Sequence, residues 1–320
     1  MACEVQRFTV SGRAGELAKK YGYPEYMVAR FEQFVPGLEK FLASMEAPPR
    51  TYIRVNALRI NANALIKRLT DKGFTLRETD LPDCLEVTAE PYSIGASAEY
   101  LLGYFYIQDK SSVIPPLALA PTAGDVVIDM AASPGGKTTH LAQMMGDQGL
   151  LLAAEVEVAR LAGLRSNLGR CGVMNTALFH MDAREIDKLG VKADKILLDA
   201  PCTGEGVIAR DRTRKTSRGA GDIEYCSGLQ EELLDSARAC LKPGGVLVYS
   251  TCSFAPEENE RVIDHAIKKY GMKAEPLPYG EPGLETFGSL RFDPQVRNAR
   301  RLYPHLHGTL GFFVARLKNV

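Results

Sequence analysis

The sequence predicts an α/β protein, its larger part a mostly parallel sheet covered on both faces by helices, with a smaller α+β part ahead of it. From Gly124 onward, short apolar runs alternate with stretches at helical spacing, which is the pattern of repeated strand–helix units. The first apolar run of that repeat ends in a tight glycine-rich turn, AASPGGKT at Ala131–Thr138, as the first strand-to-helix turn of a doubly wound sheet does. Before residue 100 the order differs, with helical spacing first and strand patterning after it.

Residues around Gly12–Met45 read as two helices divided by Gly22 and Pro24. The second carries Met27, Phe31, Phe34, Leu38 and Leu42 at helical spacing, and Pro48 and Pro49 stop it. A strand at Thr51–Ala57 follows, then a helix opened by Asn61 or Asn63 and carrying Leu65, Ile66 and Leu69, then strands near Thr75–Leu76 and Cys84–Val87. Tyr104–Gln108 and a helix at Ser111–Leu119 bridge to the repeat. There the expected strands are Val126–Met130, Leu150–Ala154, Ala177–His180, Ile196–Leu198 and Val246–Tyr249. The expected helices are Lys137–Met145, Val156–Cys171, Ser227–Leu241 and Glu257–Tyr270, and Gly311–Leu317 reads as a final edge or reversed strand. Expected domains are therefore N-terminal helices at 1–48, a small α+β domain at 49–108 and the larger α/β domain at 109–320.

Lys plus Arg and Asp plus Glu number 39 each, so no global field marks a polyanionic partner and any nucleic-acid surface comes from local patches. Candidate patches are Arg210–Arg218, with five basic side chains against one acid, the Arg297, Arg300 and Arg301 cluster, and Arg50, Arg54 and Arg59 near the first strand. Seven cysteines without framework spacing, and without a CxxC or Cys/His cluster, point to reduced thiols, no metal and a cytoplasmic location. The N-terminus MACEVQRFTV lacks a signal pattern and no apolar run reaches 18 residues, so the expectation is a soluble chain with no membrane partner.

Asp129 closes the first strand of the repeat, Ala131–Gly136 turns, and a helix begins near Lys137, so backbone N–H groups at a positive helix terminus face a ligand. Glu155 ends the second strand 18 residues after Lys137, close to the spacing of an acid that accepts bonds from ribose hydroxyls. Asp182 follows the third strand, placed for an adenine edge. Acids at three successive strand ends suit S-adenosylmethionine, a cationic sulfonium with a ribose and no phosphate. A phosphate-binding loop is the rival, but GxxxxGK[ST] needs glycine where this chain has Ala131, and Pro134 lies inside the curve.

Cys202 in KILLDAPCTGEG and Cys252 in GVLVYSTCSFAPEEN each sit just past an apolar strand run, where open α/β sheets bind ligands. Cys3, Cys84, Cys171, Cys226 and Cys240 read as structural thiols. Two thiols and the carboxylate of Asp199 are the parts needed to methylate cytosine at carbon 5. That carbon is a poor nucleophile, so a thiolate must first add at carbon 6, while a hydrogen bond at N3 stabilises the electron density that arrives there. Residue chemistry alone leaves open which cysteine attacks.

The strings DMAASPGGKT (Asp129–Thr138), DAPCTGEG (Asp199–Gly206), STCS (Ser250–Ser253) followed by PEENE, and PHLHGTLGFF (Pro304–Phe313) resemble those of RNA 5-methylcytosine methyltransferases of the RsmB/NSUN type. The resemblance covers roughly residues 50–318. It implies a Rossmann-like S-adenosylmethionine-dependent methyltransferase domain with a mostly parallel seven-stranded sheet and a reversed last strand, preceded by an RNA-recognition-motif-like α+β domain and N-terminal helices. It further implies that Cys252 attacks and Cys202 assists release. Ala131, Ala132, Ser133, Pro134, Gly135, Gly136, Lys137, Glu155, Arg160, Asp182 and Asp199 would bind S-adenosylmethionine, with Lys137 and Asp199 also near the target base. The implied partner is RNA, transfer RNA first and ribosomal RNA as the alternative, with no DNA and no obligate protein partner. A noncatalytic RNA-binding protein that retains the fold is the reading from a different class. Leu310 departs from the family, which often has an acid before the terminal GF.

Overall fold

A computed structural model describes residues 4–320; Cys3 lies outside the described residues. Two compact units divide the chain. The first comprises Pro49 and the described residues before it, Ala200–Asp235 and Tyr249–Val320; the second comprises Arg50–Asp199 and Ser236–Val248.

The first unit opens with α1 (Gly12–Tyr21), α2 (Glu25–Phe31) and α3 (Leu38–Glu46). Ser11 caps α1 by accepting the Ala14 N–H at 3.0 Å. The single long helix expected after Pro24 is broken in two. Pro36 disfavours helical geometry at Val35, and Gly37 turns the chain at φ 64°, a region glycine enters without a Cβ penalty. The apolar spacing survives the break because both pieces bury the same face. Phe31 and Phe41 meet edge to face at 5.3 Å, and both stand edge-on to Phe254, at 5.8 and 5.1 Å.

The second unit begins with β1 (Thr51–Val55), α4 (Ala62–Thr70), β2 (Thr75–Glu78), β3 (Cys84–Ala89), α5 (Ala98–Leu101) and β4 (Phe105–Ile107). The strands form an antiparallel sheet in the order β2-β3-β1-β4 around a core that includes Ile53, Val55, Leu65, Leu69, Phe74 and Phe105. After α6 (Ile114–Leu119) come β5 (Val126–Asp129), α7 (Gly136–Met144), β6 (Leu150–Glu155), α8 (Val158–Cys171), β7 (Thr176–His180) and β8 (Ala193–Asp199). β5 pairs in parallel with both β6 and β8, and β6 with β7. The chain therefore steps outward from β5 to β7 and returns to the other side for β8. This reversal puts a topological switch point at the carboxyl end of β5, where ligands of such sheets bind.

α9 (Ala220–Cys240) and β9 (Leu241–Thr251) pass through both units; α9 begins seven residues earlier than the expected Ser227. The first unit then continues through α10 (Glu260–Tyr270), β10 (Lys273–Glu275), β11 (Glu281–Pro282), the hairpin of β12 (Thr286–Phe287) and β13 (Leu290–Arg291), β14 (Arg300–Leu302), α11 (Pro304–His307) and β15 (Phe312–Lys318). β15 pairs antiparallel with β10 and β14, and β14 with β11. Among the described residues the large sheet thus holds nine strands rather than seven, because β10 and β11 are too short to show a period in the sequence. Among the described residues no helix is long and apolar enough to cross a membrane.

Candidate active site

At the switch point, the Asp129 carboxyl is buried and accepts the Thr138 hydroxyl at 2.8 Å. Burial, reinforced by the charge of Asp199, pushes its pKa up to about 6. The loop after it is tied down by main-chain bonds from Ala132 N to Ala154 O at 3.0 Å and from Gly135 N to Ala132 O at 2.8 Å. Gly135 has φ 104°, and a Cβ there would lie 3.0 Å from Leu164 Cδ1. A Cβ on Gly136 would lie 3.1 Å from Gln108 Oε1 and 3.2 Å from Tyr106 Cε1. The positive φ therefore favours glycine at 135, and a side chain at 136 would press on Gln108 and Tyr106.

Outward carbonyls of the loop are also engaged. Tyr106 Oη and Asn167 Nδ2 donate to Pro134 O at 3.2 and 2.9 Å, and Arg160 Nη2 donates to Ser133 O at 3.0 Å. Glu155, buried at the end of β6, accepts the Glu157 N–H at 2.8 Å and has Arg160 Nη1 3.7 Å away. Arg160 thus links the strand-end acid to the loop. Asp182 accepts the Arg184 N–H at 2.9 Å and its Nη2 at 2.6 Å, bonds that hold its carboxyl below the usual range. Lys137, in the first turn of α7, donates to Asp199 Oδ2 at 2.6 Å, with both side chains partly exposed.

The first unit carries the thiols. Cys202 Sγ lies 3.1 Å from Cys252 Sγ, far beyond the roughly 2.05 Å of a disulfide, and both residues are partly buried. Main-chain bonds lace their segments together: Ala200 N donates to Ser250 O and Gly206 N to Cys252 O, both at 2.8 Å. The hydrogen bond with Cys252, followed by burial, raises the Cys202 pKa well above that of a free thiol. In the contact between the two sulfurs either one can be the donor.

Sequence patterning missed the residues after Cys252. In the sequence PEENE stands out only as part of the family resemblance, yet Glu257, Glu258, Asn259 and Glu260 are all 0% exposed. Their partners are remote in sequence, Arg30 for Glu257 and Arg301 for Glu260, so no local signal reveals them. Two basic patches are corrected in turn. Arg54 is fully buried and donates to Gln143 Oε1 at 2.6 Å and Thr139 Oγ1 at 2.7 Å, and Arg301 is buried against Glu260, so neither faces a phosphate. Among the described residues no cluster of three or more His, Cys, Asp or Glu could hold a metal ion.

A family model described as 16S rRNA methyltransferase RsmB/F matches residues 116–318, and one described as the RsmF/B-like ferredoxin-like domain matches residues 23–94. A 28S rRNA (cytosine-C(5))-methyltransferase of Mus musculus is 39% identical over 314 residues, covering 95% of this chain and 40% of the relative. The chain spans less than two thirds of the length of the curated relatives it matches, 40% in that case and 64% for a bacterial one. Among solved structures, a methyltransferase homolog protein from Pyrococcus horikoshii matches with a TM-score of 0.90 at 43% identity, over 97% of this chain and 100% of that one. NSun6 from the same organism, solved with SFG, matches with a TM-score of 0.80 at 29% identity, over 95% of this chain and 98% of that one.

Proposed function

This chain belongs to the RsmB/F family of methyltransferases, and from that premise we propose that it forms 5-methylcytosine in ribosomal RNA through a covalent bond from Cys252 to carbon 6 of the base. S-adenosylmethionine is the cofactor, and it supplies an electrophilic methyl group on a cationic sulfonium. The donor set fits that group. Asp129 and Glu155 end β5 and β6, and Asp182 follows β7, an acidic rim suited to a cation with ribose hydroxyls and unsuited to a polyphosphate.

Two thiols 3.1 Å apart, on segments that follow strands β8 and β9, are the observation that carries the reading. The thiolate is the attacking form of a cysteine, and the resemblance of the STCS and DAPCTGEG motifs to the family assigns attack to Cys252 and release to Cys202. Its sulfur adds to carbon 6, and the displaced electron pair passes toward carbon 5 and N3. The Lys137 ammonium, held by the Asp199 carboxylate, would supply the proton that this pair shares with N3 as that charge builds. Once carbon 5 carries the methyl group and loses its proton to a base, the sulfur–carbon 6 bond breaks and Cys252 leaves as thiolate. Cys202 stands beside that sulfur to assist its departure.

The relatives favour ribosomal RNA over the transfer RNA expected from the sequence, since the family description names 16S rRNA and the mouse relative 28S rRNA. Cys252→Ser should abolish turnover, while Cys202→Ala should accumulate a protein–RNA adduct that survives denaturing electrophoresis. An adduct formed with Cys252 replaced and Cys202 intact reverses the roles. Bisulfite sequencing of RNA from cells lacking the protein should show a lost ribosomal site, and a loss confined to transfer RNA overturns the substrate.

A further inference from the structure

Burying four consecutive polar side chains costs free energy unless each finds partners. Three of them have plain structural bonds. Glu257 takes Arg30 at 2.7 Å, Glu260 takes Arg301, and Asn259 accepts from Thr251 Oγ1 at 2.6 Å while donating to Ser253 O at 2.9 Å. Glu258 differs, because among the described residues it is bonded to no cation. Its Oε2 accepts the Thr203 N–H at 3.0 Å and Gln230 Nε2 at 2.9 Å, and its Oε1 is bonded to Ser253 Oγ at 2.7 Å and accepts the Thr203 hydroxyl. Thr203 directly follows Cys202, and Ser253 directly follows Cys252. Gln230 also donates to Pro201 O at 2.8 Å, on the other side of Cys202. One carboxyl group therefore holds both segments that present the thiols.

We propose that Glu258 is the positioning residue of the thiol pair: its carboxyl group clamps Thr203 to Ser253 and so holds Cys202 Sγ against Cys252 Sγ. This rests on the reading of those two thiols as the reacting pair. Without the clamp, an amide and two hydroxyls in buried surroundings lose their shared partner and the two segments lose their common anchor. The clamp is also close to neutral at physiological pH. Ser253 Oγ also stands 2.8 Å from Glu205 Oε2, and its one proton goes to Glu205 when the Glu258 carboxyl is protonated and donates to Ser253. Burial first, and then the charge of Glu205, pushes Glu258 up to about 8. Glu205, Cys202 and Cys226 are the titratable groups that face it, and its charged form opposes ionisation of both cysteines. A mostly protonated Glu258 thus positions the thiols without adding a full negative charge beside them.

The test needs no RNA in its first arm. The full-length chain, as wild type, Glu258→Gln and Glu258→Leu, is treated with iodoacetamide, and alkylation of Cys202 and Cys252 is followed by peptide mass spectrometry, with S-adenosylmethionine binding by calorimetry as the folding control. In the wild type Cys202, its thiol pushed up by the contact with Cys252 and by burial, should alkylate slowly. The Cys202-to-Cys252 ratio should rise at least fivefold in Glu258→Leu and by less in Glu258→Gln, which keeps one acceptor oxygen. In the second arm kcat should fall 10- to 100-fold, with KM for S-adenosylmethionine within twofold. A ratio and a kcat both within twofold of wild type, in whichever variant binds S-adenosylmethionine, overturn the proposal. Failure of the proposed function shows separately, as methylation that survives Cys252→Ser.

Discussion

Asp129 sits at the end of β5 with its carboxyl out of water and the Thr138 hydroxyl as its side-chain donor at 2.8 Å. Its pKa rises from 3.8 to about 6 on folding, so the folded state holds a proton that the unfolded chain has already released across that interval. Stability from this group is therefore full below pH 4 and lost as pH rises through 6, a change on the order of 3 kcal/mol. Asp129→Asn removes the titration while keeping an acceptor for Thr138. Urea unfolding from pH 4 to 7 should show wild type losing that much stability relative to the variant, and a pH-independent difference would reject it. At this scale the sequence marked Asp129, Cys202 and Cys252 correctly as strand-end residues. The raised pKa of Cys202 was not legible, because it depends on a 3.1 Å contact between residues 50 apart in sequence. The buried acids were not legible either, since Glu257 finds Arg30 across 227 residues.

Elements were legible wherever burial imposes a period. Strands β5, β6, β7 and β8 read as apolar runs because a parallel sheet is covered on both faces, and α8 and α10 read from helical spacing. Where an element is only two or three residues long, as β10, β11 and β14 are, no period exists to be read. Close approach of main chains is likewise invisible until three segments meet. Gly206, in the segment after Cys202, donates to Cys252 O at 2.8 Å and accepts from Gly311 N at 2.9 Å. A Cβ on Gly206 would lie 2.2 Å from Gly311 O and 2.6 Å from Cys252 O, both of them backbone atoms that cannot swing aside. Gly206→Ala must therefore displace the cysteine segment or the start of β15. The expected cost is about 1–3 kcal/mol in urea unfolding, as for other overpacked sites. Adduct yield should fall at least tenfold, because Cys252 moves with its carbonyl. Wild-type stability together with wild-type adduct yield would show that the close packing is dispensable.

Across the whole chain, 39 basic and 39 acidic side chains cancel, and much of the local positive charge is engaged internally. In the segment expected to track phosphates, Arg212 and Lys215 both bond Glu46, Arg214 bonds Asp211, and Arg218 bonds Asp222. Arg30, Arg54 and Arg301 are buried. If the proposed RNA substrate meets this segment, its paired cations must leave their carboxylates before they can displace counterions, and recognition there draws more on shape and base contacts than on charge. A protein that neutralises six to ten phosphates loses roughly 10³–10⁵ in affinity between 50 and 200 mM salt. With about two to four phosphate contacts, the expected loss for this chain is only about 10- to 100-fold, read by fluorescence anisotropy with ribosomal RNA fragments. Glu46→Gln removes the charge that pairs with Arg212 and Lys215. It should steepen the logarithmic salt slope by roughly one to two and tighten binding at 50 mM salt, because each freed cation can release a further counterion. A wild-type loss of 10³ or more would mean that these ion pairs open on binding, and an unchanged slope in Glu46→Gln would mean that the segment does not meet the RNA.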